Sequence, residues 1–237
     1  MKRALTLVVT SLALAPVLAP GTAEARSARA GGISISPGTV VPGAKGTAAV
    51  TVKVKLPGLD PASLVNITAR GPRSDRNWAD AKDPDGDGVF VGTLRFDRMN
   101  EAGSWRIETE IYDVGSGNAH AGPSGRFSVK RPTRLTVNAA PEPVKKGATI
   151  GVGGKLTLLT QYGKPADYVP YKGQRIYVYF KRKGTKKWVS KGYTTTNKSG
   201  NYLKKFKAAY DGYWWPQYAG SAQYAGVKSG GDYVDVR

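Results

Sequence analysis

The 237-residue sequence has no cysteine and a single histidine, His120. No disulfide braces the fold, so its stability must come from buried area. The same shortages exclude the zinc sites built from cysteine and histidine, and they leave a nucleophilic triad only one histidine to draw on. His120 sits in residues 115–122, GSGNAHAG, whose composition reads as a solvated loop,. Long helical periodicity is also missing, and 30 glycines and 15 prolines punctuate the chain instead,. Beyond the first twenty residues no apolar run is long enough to span a bilayer,.

Acidic residues are scarce in one half only. Residues 26–130 carry 14 Lys+Arg against 11 Asp+Glu, whereas residues 131–237 carry 20 against 5. The second half therefore presents a basic surface of the kind that attracts polyanions, the first half a nearly balanced one.

What is present begins with an export signal. Lys2 and Arg3 precede a mostly apolar run over residues 4–19, and small residues three apart follow in Gly21-Thr22-Ala23-Glu24-Ala25. This is the pattern of a cleaved secretory signal peptide over residues 1–25, with a short tether at 26–32. Alternation then predicts strands. Val50, Val52, Val54 and Leu56 share one face, and the pattern repeats in Val65/Ile67/Ala69, Phe90/Gly92/Leu94/Phe96, Trp105/Ile107/Thr109/Ile111 and Phe127/Val129,. A first strand near residues 33–36 makes six or seven, spaced as in a β-sandwich. After a short link at 130–133 the second half repeats the logic, with strands expected over 134–139, 149–159, 174–183, 187–195, 202–209, 213–218 and 232–236. Gly184-Thr185 and Asn197-Lys198-Ser199-Gly200 read as hairpin turns. The predicted fold class is all-β: two consecutive β-sandwich domains, 33–130 and a basic 131–237, joined with limited freedom.

Residues 103–107, GSWRI, running on to Tyr112-Asp113 and Gly117-Asn118, resemble the late strands of bacterial Ig-like domains. RLTVNAAPEPVKKGATI at 134–150, with DGYWWPQYAG and the closing GDYVDVR, resembles the C-terminal Ig-like domain of secreted bacterial proteins. The resemblance implies an Ig-like fold and export, and it carries over no catalytic residue.

Three constellations are candidates for chemistry. In KDPDGDGVFVG, residues 82–92, the side chains of Asp83, Asp85 and Asp87 with Gly88 fill positions 1, 3, 5 and 6 of an EF-hand loop,. Position 12 is Leu94, on an apolar strand face, so a full EF-hand is excluded. A bare hairpin turn and a smaller calcium site with Asp75, Asp80 and Asp97 nearby both remain open. Glu108 and Glu110 project from one side of a strand, as paired glycosidase carboxylates do, but between Arg106 and Tyr112 they read as an outer, solvated face. In the second half Arg175, Tyr177, Tyr179 and Lys181 alternate with the apolar Ile176, Val178 and Phe180. Lys187, Lys191 and Tyr193 are expected beside them across a hairpin, and Lys204, Lys205 and Lys207 on a later strand. Interleaved rings and cations on a flat sheet suit anionic polymers. Trp214 and Trp215, adjacent on a strand, must point to opposite faces.

The sequence thus predicts a secreted or envelope-associated, non-catalytic binding or structural protein. Its expected partners are anionic cell-envelope or matrix polymers, since export argues against nucleic acid as the physiological target. Two alternatives stand beside it: a calcium-binding Ig-like adhesion module with the metal at residues 83–87, and a secreted glycoside hydrolase using Glu108 and Glu110. Calcium is the only cofactor the sequence suggests.

Overall fold

Alternating apolar residues between glycine turns leave the chain one way to bury its side chains, which is to pair strands and stack the sheets. The computed structural model describes residues 31–163 and 166–237, and all its regular elements there are strands. The expected signal peptide, 1–25, lies outside the described residues, as does most of the tether.

The first sandwich contains β1 (Gly32–Ser36), β2 (Thr39–Val40), β3 (Ala48–Lys55), β4 (Leu64–Arg70), β5 (Arg76–Ala81), β6 (Val89–Phe96), β7 (Gly103–Asp113), β8 (Asn118–Ala121) and β9 (Gly125–Val129). One sheet has the order β1-β3-β6 and the other β2-β9-β7-β4-β5, with β8 against the end of β7. This is the Ig-like arrangement, with the extra strand β5 joining the second sheet. Val50, Val52 and Val54 of β3 face Ile67, Trp105, Ile107 and Phe127 across one continuous core. Trp105 is fully buried with its ring edge on Phe96 at 4.9 Å, and its indole N–H donates to the Glu101 carbonyl at 2.8 Å. That bond satisfies the one polar atom such a ring carries inside.

The second sandwich contains β10 (Thr133–Leu135), β11 (Asn138–Ala140), β12 (Thr149–Leu159), β13 (Tyr168–Pro170), β14 (Arg175–Arg182), β15 (Val189–Thr195), β16 (Asn201–Lys207), β17 (Gly212–Tyr218), β18 (Val227–Lys228) and β19 (Asp232–Val234). The long β12 organises one sheet, pairing with β10, β11, β13 and β16. The other has the order β15-β14-β17, with β18 and β19 on successive parts of β17. Trp214, 4% exposed, anchors its core between Phe180 and Phe206, whose ring centroids lie 4.7 and 4.6 Å away.

Several expectations are corrected. The strand foreseen over 134–139 is two, β10 and β11, because the Thr136 hydroxyl takes the Lys155 N–H at 2.9 Å and interrupts the ladder. Residues 197–200 form a corner and not a hairpin turn, since β15 pairs with β14 while β16 pairs with β12 in the opposite sheet. Asn197 holds that corner by accepting the amides of Ser199 and Asn201 at 2.9 and 3.0 Å. His120 lies not in a loop but on the exposed edge strand β8, opposite Ile111. The strand β5 went unforeseen, because its outward residues, Arg76, Trp78 and Asp80, and its mixed inner row hide the period of two.

The link between the sandwiches is tied on both sides. Lys130 N–H donates to the Val40 carbonyl at 2.9 Å, and Arg131 exchanges backbone bonds with Gln223 and Ala225. From the first domain Arg98 donates to the carbonyls of Gln161 and Gly163 at 2.8 and 2.7 Å, and the Gln161 side chain returns a bond to the Met99 carbonyl at 2.8 Å.

Gly92 shows how closely the first core is filled, since a Cβ there would lie 2.5 Å from the Ile67 Cδ1 atom and 3.0 Å from the Asp80 carbonyl oxygen. Gly92→Ala is therefore expected to destabilise the first domain by about 1–3 kcal/mol, the usual cost of overpacking. Chemical denaturation of wild type and variant measures it.

Candidate polyanion-binding face

The inner faces of β14 and β17 are fixed by burial: Ile176 and Val178 on one strand, Gly212, Trp214, Pro216 and Tyr218 on the other. Every alternate residue must then face outward. Register sets those outward residues side by side, with Tyr179 beside Trp215, Lys181 beside Tyr213, and Tyr177 beside Gln217. On the far side of β17, Tyr213 meets Tyr233 and Gln217 meets Lys228.

The edge strand β15 completes the face through a β-bulge. Tyr177 faces Tyr193 and Tyr179 faces Ser190, so Lys191 and Gly192 together oppose Val178. Gly192, at φ 85°, supplies the left-handed conformation the bulge uses,. The extra residue reverses the parity of β15. Tyr193 stays outward, 6.0 Å from the Tyr177 ring, while Trp188 is brought onto the face, 5.1 Å from Trp215. Lys191 turns away, its Nζ 5.6 Å from the ring of the inward-facing Phe180. Lys187 stays exposed in the segment before β15.

Seven rings and four cations thus share one face. Arg175 lies 4.4 Å over Tyr193, and Lys228 4.6 Å over Trp215. Lys181 sits between Trp188 and Tyr213 at 5.1 Å from each, and Lys183 lies 5.5 Å from the Tyr233 ring. Hydrogen bonding to the Tyr177 phenol raises the Arg175 pKa above its ordinary value, and bonding to Tyr233 does the same for Lys183. None of the outward residues in these rows is acidic. Asp232 instead accepts the Ala139 amide, and Asp235 pairs with Arg237 at 2.9 Å.

The ten residues foreseen as one site therefore divide. Arg175, Tyr177, Tyr179, Lys181 and Tyr193 belong to the face. Lys204, Lys205 and Lys207 do not, because β16 lies in the other sheet. Lys204 reaches across the sandwich edge to donate to the Tyr193 carbonyl at 2.9 Å, while Lys205 and Lys207 point outward from the opposite sheet. Trp188, Tyr213, Lys228 and Tyr233 were missed. Carrying the Gly184 hairpin register back to Trp188 opposite Lys181 is the signal that finds it.

The acidic loop is built as a clamped turn between the sheets. Asp83 is 5% exposed, and both carboxylate oxygens accept backbone amides, Gly86 at 3.0 Å and Gly88 at 2.9 Å. Asp87 accepts the Val89 amide at 2.8 Å. Gly86 and Gly88, at φ 73° and 80°, make the bend possible. One oxygen from each of Asp83, Asp85 and Asp87 lies within 4.8 Å of the others. The further carboxylates do not join them: Asp75 holds Asn100 and the Glu101 amide, Asp97 accepts the Met99 amide, and Asp80 lies on β5 opposite Asn66. Glu108 is bridged by Arg70 at 2.6 Å and Arg106 at 3.2 Å. The Arg70 hydrogen bond holds its carboxyl below the usual range, the reverse of what a general acid needs,.

The chain matches no protein-family model and no curated protein sequence. Solved structures with partial likeness include a tetra-tandem repeat in the extending region of a large adhesion protein, 18% identical with a TM-score of 0.34, covering 87% of this chain and 50% of that one. Red sea bream transglutaminase is 14% identical with a TM-score of 0.38, covering 87% of this chain and 31% of its own. Trypsin-activated alpha-2-macroglobulin from Escherichia coli is 10% identical with a TM-score of 0.30, covering 84% and 15%. This chain spans at most half the length of any of the three. At these scores none of them bears on what it does.

Because Asp83 spends both oxygens on the turn, Asp83→Ala is expected to lower first-domain stability by about 3–6 kcal/mol, the worth of two hydrogen bonds to a charged acceptor. Asp85→Asn should cost within about 0.5 kcal/mol as a surface change. Thermal unfolding of the two variants, with and without millimolar calcium, checks both values. A clamped turn predicts that calcium shifts neither the wild type nor Asp85→Asn by more than about a degree or two, whereas a saturated metal site would add about 2.7 kcal/mol at a hundredfold excess over Kd.

Proposed function

We propose that this is an exported, non-catalytic binding protein whose second domain attaches to anionic polymers of the cell envelope or matrix. The observation that carries the reading is the outer face of β14, β15 and β17, where rings hold cations in place and no outward residue of the paired rows is acidic. Rings and cations then act together: cations meet the charges of the polymer, and the flat ring faces between them contact its uncharged parts. The leader pattern of residues 1–25 supports export. Among the described residues no helix is long and apolar enough to cross a membrane.

The absence of catalysis belongs to the same reading. Glu108 is committed to two arginines, Glu110 stands exposed beside it, and the lone histidine lies on an exposed edge. A panel of glycan substrates should show no turnover, and Glu108→Gln should change nothing but local stability.

The binding claim is tested by retention of the mature protein on an immobilised anionic polysaccharide across a salt series. Lys181→Gln is expected to lower the magnitude of the log–log salt slope by about one, as the loss of one released counterion requires. Trp188→Ala, which removes one of the two rings flanking Lys181, should weaken retention about fivefold. Lys205→Gln, on the opposite sheet, should have a clearly smaller effect than either. Equal effects from Lys181→Gln and Lys205→Gln would mean that bulk charge, and not this face, does the binding.

A further inference from the structure

At the pole of the second sandwich where β14 ends and β17 begins, the surface opens into a cleft of about 440 Å³. Its walls include Lys146, Arg182, Lys183, Tyr210, Asp211 and Arg237. The backbone around it is pinned: Lys183 N–H donates to the Asp211 carbonyl at 2.9 Å, Lys146 N–H to the Arg237 carbonyl at 2.7 Å, and Arg237 N–H to the Val144 carbonyl at 2.8 Å. This is an open surface concavity whose volume is of small-molecule size, with four cationic side chains on its walls,.

The carboxylates nearby are already engaged. Asp211 accepts the Val236 amide at 2.9 Å and faces Lys183 at 3.7 Å, and Asp235 holds Arg237 at 2.9 Å. Lys146 and Arg182 form no ion pair among the described residues. Arg182 is held in another way, its guanidinium stacked 4.1 Å over the half-exposed Tyr210 ring. Stacking fixes the guanidinium plane and leaves its edge donors free to form the two-pronged bond that oxyanions take.

We propose that this cleft is a second ligand site that binds a phosphate-class oxyanion, with the fork of Arg182 and the ammonium of Lys146 as its principal contacts. Two unpaired cations match the charge of about −1.5 to −2 that a phosphate monoester carries at neutral pH, and they exceed what one carboxylate needs. Lys183 supplies further positive potential from the wall. The site shares only Lys183 with the binding face proposed above, and its principal contacts, Arg182 and Lys146, lie off that face, so each can fail alone.

The test uses the full mature chain and inorganic phosphate, titrated at constant ionic strength against chloride while backbone amide resonances are followed by NMR. Saturable shifts are expected at Gly184, Asp211 and Arg237, around the cleft. The double variant Lys146→Gln, Arg182→Gln should raise the half-saturating concentration about tenfold or more, as the loss of charge-assisted hydrogen bonds requires. Trp188→Ala, which impairs the sheet face, should leave half-saturation unchanged. Acetate in the same titration should bind about tenfold more weakly, because a single negative charge meets only one of the two cations. Drift without saturation, an unaltered curve in the double variant, or acetate binding as tightly as phosphate would each overturn the assignment.

Discussion

Trp214 is gripped between Phe180 and Phe206, and that contact fixes the direction of every other side chain on β17. Burying an indole removes about 200 Å² from water, on the order of 5 kcal/mol, so no register that turns Trp214 outward competes. A strand alternates strictly, and a slip of one residue would exchange its two faces. With Trp214 inside, Tyr213 and Trp215 must lie outside. Phe180 fixes β14 by the same contact, so Tyr179 and Lys181 follow.

The bulge in β15 is the second constraint. Without the extra residue, Lys187, Lys191 and Tyr193 would share a face, and the site would be richer in cations and poorer in rings. With it, Trp188 joins Trp215 and Tyr179, while Lys191 leaves. The result is a face where long cationic side chains lie along aromatic rings, which restrains them before any ligand arrives. A restrained cation loses less freedom on binding than a free one. Lys205 and Lys207, outward on the other sheet, lie over no ring among the described residues, and they carry the charge of the domain without the shape of a site.

Much of this was legible in the sequence because one period dominates. Wherever valines, isoleucines and aromatics alternate with polar residues, as in β3, β6, β7, β14 and β17, the strand and its inward face follow directly. The pair Trp214 and Trp215 could be divided between core and surface by that rule alone. What could not be read was anything that breaks the period or depends on a distant partner. Strand β5 carries its one large apolar residue, Trp78, on the outer row between Arg76 and Asp80, and only small or half-buried residues inside, so no apolar rhythm marks its buried face. Gly192 looks like an ordinary turn residue, and only its pairing across from Val178 shows a bulge. The sheet to which β16 belongs is decided by seven residue pairs with β12, forty to sixty residues upstream. The acidic loop was ambiguous for the opposite reason: carboxylates at alternate positions serve a metal or a turn equally well, and only the amides of Gly86 and Gly88 on Asp83 show what the first of them does.

The first sandwich offers a natural reference for the second. Its outer sheet is charge-balanced, with Glu108 held between Arg70 and Arg106, and its most exposed large ring, Trp78 at 77%, stands alone on the edge strand β5. Hydroxyl-radical footprinting of the mature protein, free and saturated with an anionic polysaccharide, reads both domains in one experiment. Protection of Trp188, Trp215, Tyr193 and Tyr213 with Trp78 unchanged is the predicted result. Unprotected rings on β15 and β17 at saturation, or protection centred on Trp78, would contradict it.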